Sequence, residues 1–262
     1  MCRYGMVLAA LTLAFAAAAS RPAHAADDEP SLEFGYPLVT RRPVIERELE
    51  LRINHTKDAA GRSTDVTPAL EWPLLPRWQI ELSMPFLVND PREGPTTGGP
   101  GDLEIENKFL LFKSLEHRVL VAAGLEVRLP TGSERRGLGG EAAVEPFLSA
   151  GVALGDFDLL GSLAYELNVN AHVHGPREQE LTASVAALYW PTRRFAPLVE
   201  LTTTSLLRGD DADLRGRTQV YVTPGFNVKA WRGTTLRFGV ELPVTHAKKF
   251  DYALRGGLVW EF

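Results

Sequence analysis

Residues 77–88 read RWQIELSMPFLV, and apolar and polar residues alternate along this stretch. The polar positions include Gln79, Glu81 and Ser83. The apolar positions are Trp78, Ile80, Leu82, Met84, Phe86 and Val88. Because successive side chains of a β-strand point to opposite faces, a period of two predicts a strand with one face in an apolar medium and the other in a polar one.

The same alternation recurs in residues 101–112 (GDLEIENKFLLF) and 117–130 (HRVLVAAGLEVRLP), and it continues along most of the chain. Each segment has about the length that a tilted membrane-spanning strand requires. Pro68 and Pro197 fall inside predicted strands, where a proline removes a ladder hydrogen bond and is expected near a rim or a bulge. The predicted strands are 44–54, 64–72, 77–88, 102–113, 118–129, 142–154, 157–169, 179–190, 194–206, 217–229, 234–243 and 250–262.

The connections between these segments alternate in length. Short ones, such as residues 155–156, join every second pair of strands. The longer ones are polar and rich in glycine and proline: residues 55–63, 89–101, 131–141, 171–179, 207–217 and 245–249. Such sorting is typical of an up-and-down barrel whose rims face different compartments. The sequence therefore predicts an all-β protein, a transmembrane antiparallel up-and-down β-barrel of about 12 strands.

The last predicted strand carries a second signal of the same fold. Residues 250–262 read FDYALRGGLVWEF, and their aromatic side chains near the end suit the aromatic girdle of a barrel. The segment also has the polar-x-Gly-x-x-aromatic-x-aromatic ending that outer-membrane barrels present to their assembly machinery. The residues predicted to form this assembly signal are Arg255, Gly257, Trp260 and Phe262.

Composition excludes several other classes of protein. The 262 residues are 45% hydrophobic and 23% charged, which excludes extended disorder, collagen and coiled coils. A formal net charge of −5 leaves no basic footprint, so no nucleic-acid partner is predicted. The single cysteine, Cys2, excludes a disulfide scaffold and a cysteine-built metal site.

The first 25 residues have the features of a secretory signal peptide. Arg3 precedes an apolar run over residues 6–19, and Ala23-His24-Ala25 is a small-x-small cleavage site, so cleavage is expected before Ala26. The predicted organisation is a signal peptide at 1–25, an N-terminal segment at 26–43 and a barrel at 44–262. The segment at 26–43 either remains in the periplasm or folds into the barrel as a plug. The predicted location is the bacterial outer membrane.

Two motifs carry a resemblance to a known family. Gly101-Asp102-Leu103 opens one predicted strand, and residues 129–133 (LPTGS) close the next. In these motifs the chain resembles the outer-membrane transporter family named for the MetA pathway of phenol degradation. The resemblance covers the chain from about residue 32 to the end and implies a barrel in a Gram-negative outer membrane and uptake of small organic or aromatic compounds. It implies no catalytic or ligand-binding residues.

If the apolar positions face lipid, the polar positions face the lumen, and acids outnumber bases there. Inward charges either form cross-strand salt bridges that hold the barrel closed or line a cation-selective path. Arg47 and Asn107 interrupt the lipid face, and Arg47 is expected near the periplasmic rim. The predicted lumen lining comprises Glu48, Glu50, Glu81, Glu104, Glu106, Lys108, Glu126, Arg128, Glu166, Glu200, Arg237 and Glu241.

Other candidate chemistry is weak. His172 and His174 could share a metal, but two ligands are fewer than zinc requires. Ser114 and His117 lie in one short turn, without the third group that a hydrolase needs. The loop acids could bind calcium, but a solvated loop explains them as well: Asp210, Asp211 and Asp213. No enzyme activity, metal or cofactor is predicted.

The sequence thus favours an outer-membrane channel or transporter for small solutes, with an acid-lined lumen. The alternatives are an outer-membrane enzyme that acts on lipid and a closed structural barrel without a pore. The predicted partners are outer-membrane lipid and lipopolysaccharide, the barrel-assembly machinery and a small-molecule solute.

Overall fold

The computed structural model describes residues 32–169, 178–209 and 211–262. The predicted signal peptide, His172, His174 and Asp210 lie outside these residues. No helix in the described part of the chain is long and apolar enough to cross a membrane. The strands are β1 Glu48–Lys57, β2 Gly61–Leu75, β3 Trp78–Ser83, β4 Phe86–Pro91, β5 Thr97–Pro100, β6 Leu103–Ser114, β7 Val119–Leu129, β8 Ala143–Leu154, β9 Phe157–Asn168, β10 Gln179–Tyr189, β11 Phe195–Arg208, β12 Thr218–Trp231, β13 Thr234–Pro243 and β14 Tyr252–Glu261.

The strands form one closed antiparallel sheet. β1 pairs with both β2 and β14, which closes the sheet into a barrel. β2 pairs with β3 and then with β4, so these two are parts of one strand of the wall. β5 and β6 are likewise two parts of one strand, because they pair with β4 and β3. The fourteen segments therefore make a wall of twelve strands, and the predicted fold class is confirmed.

Two prolines explain the break between β3 and β4. Met84 and Pro85 lie outside the ladder, directly after β3. Pro68 of β2 lies opposite this break and has no N–H to donate, while its carbonyl accepts a long bond of 3.4 Å from the N–H of Met84. The irregularity expected at Pro68 is present, whereas Pro197 pairs with Phe226 in an uninterrupted register.

The first hairpin differs from its prediction at both ends. β1 begins at Glu48 rather than near residue 44, because the residues before it form no strand. The predicted long loop at 55–63 is a tight turn, since β1 and β2 keep pairing as far as Lys57 and Arg62. Asp58 Oδ1 closes this turn by accepting the N–H groups of residues 60 and 61 at 2.8 and 2.7 Å. Strand ends with two polar faces have no alternation, so they cannot be distinguished from a loop in the sequence.

The barrel has a rim of short turns and a rim of longer connections. β1 begins and β14 ends at the short-turn rim, whereas β9 ends and β10 begins at the long-loop rim. The outward face between the rims carries a belt of exposed large apolar side chains, which is suited to lipid and unusual for a protein in water. Members of this belt include Leu82, Phe109, Leu148, Val185 and Leu201.

The two polar interruptions of this belt have local partners. Asn107 Oδ1 accepts a hydrogen bond of 3.3 Å from Trp78 Nε1, and the Trp78 ring stacks on Phe109. The guanidinium of Arg47 lies 4.2 Å from the centre of the Trp72 ring, just before β1 at the short-turn rim. Arg47 therefore lies at the rim where the sequence predicts it, supported by a cation–π contact.

Candidate functional site

Residues 32–46 lie inside the barrel and are called the lumen segment below. They belong to the same compact unit as the strands, and most of them are buried or half-buried. The segment forms no strand, so its backbone groups need partners from the wall. Glu33, near its start, pairs at 3.3 Å with Lys229 close to the short-turn rim, and the N–H of Glu46, near its end, donates to Gln79 Oε1 at 2.7 Å. At both ends the described residues of the segment thus contact inward side chains of the wall.

Glu200 of β11 holds the innermost bend of the lumen segment. Its carboxylate accepts the backbone N–H groups of Leu38, Val39 and Thr40, the last two at 3.1 and 2.8 Å. It also accepts the hydroxyl of Thr40 at 2.8 Å. Glu200 is completely buried, so these four donors replace the water that a carboxylate otherwise requires.

Two further wall residues bind the backbone of the segment. Asn227 of β12 bonds Tyr36 on both sides: its Oδ1 accepts the N–H at 2.7 Å and its Nδ2 donates to the carbonyl at 2.9 Å. Asp158 of β9 accepts the N–H of Gly35 at 2.9 Å and the indole N–H of Trp190 at 2.7 Å. The segment is therefore held from several directions across the lumen.

Arg41 extends from the segment to the opposite side of the lumen. Its guanidinium forms ion pairs with Glu106, Glu126 and Glu145, the pair with Glu126 measuring 2.8 Å. It also lies 4.4 Å from the centre of the Phe147 ring. Burial acts to lower the pKa of Arg41, but the three carboxylates outweigh it and hold this pKa well above its ordinary value. Arg41 therefore remains charged and bridges three strands, β6, β7 and β8.

The short-turn end of the segment has its own network. The guanidinium of Arg42 lies 2.9 Å from the carboxylate of Glu46 and 3.5 Å from that of Glu48. It also lies 3.8 Å from the centre of the Tyr36 ring. Burial raises the pKa of Tyr36 far above its ordinary value, so its hydroxyl stays protonated. This hydroxyl lies 2.9 Å from a Glu48 oxygen and 2.6 Å from a Glu261 oxygen.

The lumen also contains an apolar region beside the charged side chains. Phe34 and Val44 of the segment pack against inward apolar side chains of the wall near the short-turn rim. In residues 119–123 (VLVAA) and 157–160 (FDLL), apolar residues also occupy inward positions and interrupt the alternation. This interruption is the feature of the sequence that indicates an apolar region inside the barrel. The inward members of this core are Leu110, Leu120, Ala153, Leu160, Ala186, Leu188, Ala196 and Leu198.

The twelve predicted lining residues alternate along the strands with the side chains of the outward apolar belt. Many of them form salt bridges between strands, as expected if the inward charges hold the barrel closed. Arg128 bridges Glu104 at 3.2 Å and Glu166 at 3.1 Å. Arg255 of the predicted assembly signal bonds Glu241 at 2.6 Å. Further pairs are Lys108 with Glu71, Arg52 with Glu81, and Arg237 with Glu50.

The rest of the predicted assembly signal lies on β14 and at the chain end. An added Cβ at Gly257 would lie 2.7 Å from Arg237 Nε, so this inward position is crowded by a guanidinium. The rings of Trp260 and Phe262 are 5.1 Å apart, and Phe262 is 6.2 Å from Trp72. These aromatic rings gather at the short-turn rim beside Arg47.

A polar cavity of about 210 Å³ lies between the segment and the wall, lined by Arg41, Arg42, Glu81, Glu106 and Glu126 among others. At its edge the carboxylates of Glu48, Glu50 and Glu71 approach within 4.8 Å of one another. Arginine and lysine side chains already neutralise these three groups, so the arrangement does not favour a metal ion.

The other candidate residues have structural partners. The hydroxyl of Ser114 accepts the backbone N–H of His117 at 3.2 Å, which is a turn contact and leaves the imidazole uninvolved. Asp211 Oδ1 accepts two backbone N–H groups of its own loop, those of Asp213 and Leu214. Neither arrangement supplies a nucleophile with a base.

Gly124 determines where the Phe147 ring lies. The two residues are directly opposite on β7 and β8, and an added Cβ at Gly124 would lie 2.2 Å from the ring. Gly124→Ala is therefore expected to displace Phe147 and lower the free energy of unfolding by about 1–3 kcal/mol. The temperature at which heat-modifiable migration is lost measures this, with Gly161→Ala as the control because its new Cβ meets no atom within 3.5 Å. Equal midpoints for both variants would contradict the prediction.

No protein-family model matches the chain, and no curated protein sequence matches it. The resemblance to the phenol-pathway transporter family therefore stays a prediction. Among solved structures, the COG4313 outer membrane channel from Pseudomonas putida F1 is similar, with a TM-score of 0.66, 15% identity, and coverage of 88% of this chain and 100% of that one.

Two porins are also similar. The NanC porin has a TM-score of 0.59 at 11% identity, with 82% of this chain and 100% of that chain covered. The KdgM porin in complex with disordered oligogalacturonate has a TM-score of 0.53 at 10% identity, with 82% and 99% covered. At such low identity the likeness concerns the fold, and the chain has the twelve-stranded closed barrel of outer-membrane proteins.

Proposed function

We propose that this protein is an outer-membrane channel for small polar solutes and that the lumen segment closes it. The observation that carries the proposal is a wall with charged side chains inside and apolar side chains outside, closed by a segment outside the strand ladder. Burying carboxylates costs free energy unless they are paired, so apolar side chains would stabilise an interior with a purely structural role at least as well.

The way in which the segment is held makes reversible opening reasonable. Its contacts with the wall are side-chain hydrogen bonds, ion pairs and a small apolar core around Phe34, not strand pairing. Release of the segment would leave the twelve-stranded ladder intact, because that ladder closes through β1 and β14. In this proposal the mature chain from Ala26 lies in the outer membrane, in contact with lipid and lipopolysaccharide, after the assembly machinery has recognised its last strand.

Planar-bilayer recording tests the proposal. The refolded mature protein is expected to give brief, low-conductance openings, because the closed state holds the segment in place. A salt gradient across the bilayer then gives the ion selectivity, and cations are expected to predominate. Heat-modifiable migration of the same sample serves as the control for a folded barrel. A folded barrel without any conductance above background, in the wild type and in variants that release the segment, would refute a channel.

The second candidate is a closed structural barrel, favoured by the filled lumen. The recordings above separate the two, since a structural barrel stays closed when the contacts of the segment are removed. Uptake of hydrocarbon-like aromatic compounds through the lumen agrees less well with its charged wall. A lipid-acting enzyme has no support from the turn that holds Ser114 and His117.

A further inference from the structure

Glutamates on neighbouring strands of the wall lie directly opposite one another. Each of the following pairs occupies matching positions of two paired strands, so the carboxylates form a continuous line across seven strands. The line runs Glu261–Glu48–Glu71–Glu81–Glu106–Glu126–Glu145 through β14, β1, β2, β3, β6, β7 and β8. We call it the glutamate row.

The row extends to the other rim of the barrel. Between β8 and β9, the register set by the pairs Val144–Leu167 and Phe147–Ala164 places Glu145 and Glu166 at matching heights. On the next strand, β10, Glu180 lies directly opposite Glu166. Glu261 and Glu48 lie at the short-turn ends of β14 and β1, whereas Glu180 is the second residue of β10 at the long-loop rim. Because barrel strands are tilted, a line across them rises along the barrel axis. The glutamate row therefore leads from one rim to the other.

Such a row requires cations. Like charges directly opposite on neighbouring strands destabilise a sheet, and here the repulsion recurs at each step. Residues of the wall and of one loop supply part of the compensation: Lys108 for Glu71, Arg52 for Glu81 and Arg128 for Glu166 from the wall, and Lys249 for Glu180 from the connection between β13 and β14. The middle of the row, Glu106, Glu126 and Glu145, is compensated by Arg41, which comes from the lumen segment and not from the wall.

The middle of the row is thus a site that holds a guanidinium in this structure. Three carboxylates surround the cation, and the Phe147 ring lies 4.4 Å from it. An aromatic face beside carboxylates favours a diffuse organic cation, since cation–π attraction does not need the short ligand distances of a metal ion. The cavity of about 210 Å³ that Glu106 and Glu126 line adjoins this site, and it has room for a small molecule.

We propose that the channel is selective for small organic cations that carry a guanidinium or primary ammonium group. The glutamate row is their path, and Arg41 occupies in the closed state the site that such a solute takes in transit. The inference rests on the proposed channel function and adds the class of its solute. When the lumen segment leaves, the solute replaces Arg41 as the counter-charge of the three glutamates.

The test uses the full mature chain carrying Arg41→Ala, which vacates the site, in planar bilayers. Reversal potentials with sodium on one side and guanidinium or methylammonium on the other give the permeability ratios. Guanidinium is expected to exceed sodium by about fivefold, the factor that a cation–π contact of about 1 kcal/mol supplies. Adding Glu126→Gln or Phe147→Leu is expected to abolish the preference. Glu145→Gln replaces Glu126→Gln if the latter does not fold.

The matched control is Asp65→Asn. Asp65 is a carboxylate of β2 that lies outside the row and bonds Asn54 and Thr67, so its loss should leave the preference unchanged. Conductance with no preference for guanidinium, or a preference that Glu126→Gln and Phe147→Leu do not alter, would refute the cation path and leave the channel standing. Folded variants without any conductance, also when Glu200→Ala is added to release the segment, would refute the channel itself.

Discussion

Replacing Glu200 by alanine is expected to open the barrel and raise its time-averaged conductance by at least about tenfold. The substitution removes the acceptor of three backbone N–H groups and one hydroxyl at the bend of the lumen segment. Each buried donor left without a partner costs about 1–3 kcal/mol, and 1.4 kcal/mol corresponds to a factor of ten in a population. The wall itself keeps its ladder, because Glu200 contributes to it only through its backbone.

Recordings of Glu200→Ala and Glu200→Gln in planar bilayers measure this effect. The glutamine keeps one carbonyl acceptor and should give an intermediate conductance. Asp65→Asn, which changes an inward carboxylate away from the segment, should behave as the wild type. Unchanged conductance in a folded Glu200→Ala barrel would mean that the other contacts of the segment hold it without Glu200, and the importance of Glu200 would be disproved.

Arg41→Ala is expected to have the second large effect, on both selectivity and stability. It leaves Glu106, Glu126 and Glu145, which are adjacent on three strands, without the guanidinium that joins them. Removing one partner of a buried ion pair costs about 3–5 kcal/mol. The open channel should therefore become more strongly cation-selective, while the barrel loses heat stability at neutral pH.

The stability loss should depend on pH in a defined direction. Repulsion between the three carboxylates is fully present when they are ionised and disappears as the pH falls and they become protonated. The gap between the unfolding midpoints of wild type and Arg41→Ala should thus be larger at pH 8 than at pH 5. Arg41→Lys, which keeps the charge but not the planar fork, should fall between them. A gap that grows on acidification would contradict the assignment.

Local pattern was sufficient to predict the wall. In residues 77–88 the side chains alternate strictly, and parity alone determines which face each one takes, so the strands, the lipid face and most inward charges could be read directly. Prediction from alternation is not possible where both faces of a strand have the same polarity. The polar ends of β1 and β2 carry no alternation that distinguishes them from a loop, and alternation does not separate the apolar inward residues around Leu120 and Leu160 from the lipid face.

Local sequence pattern therefore predicts the fold class and most strand positions, because these depend on neighbours along the chain. What fills the lumen depends instead on contacts between distant parts of the chain, because Gly35 and Tyr36 bind partners 123 and 191 positions away. The glutamate row is a tertiary property for the same reason. Which glutamates lie opposite one another depends on the register of every hairpin and on the closure of β1 with β14, and no single segment of the chain contains that information.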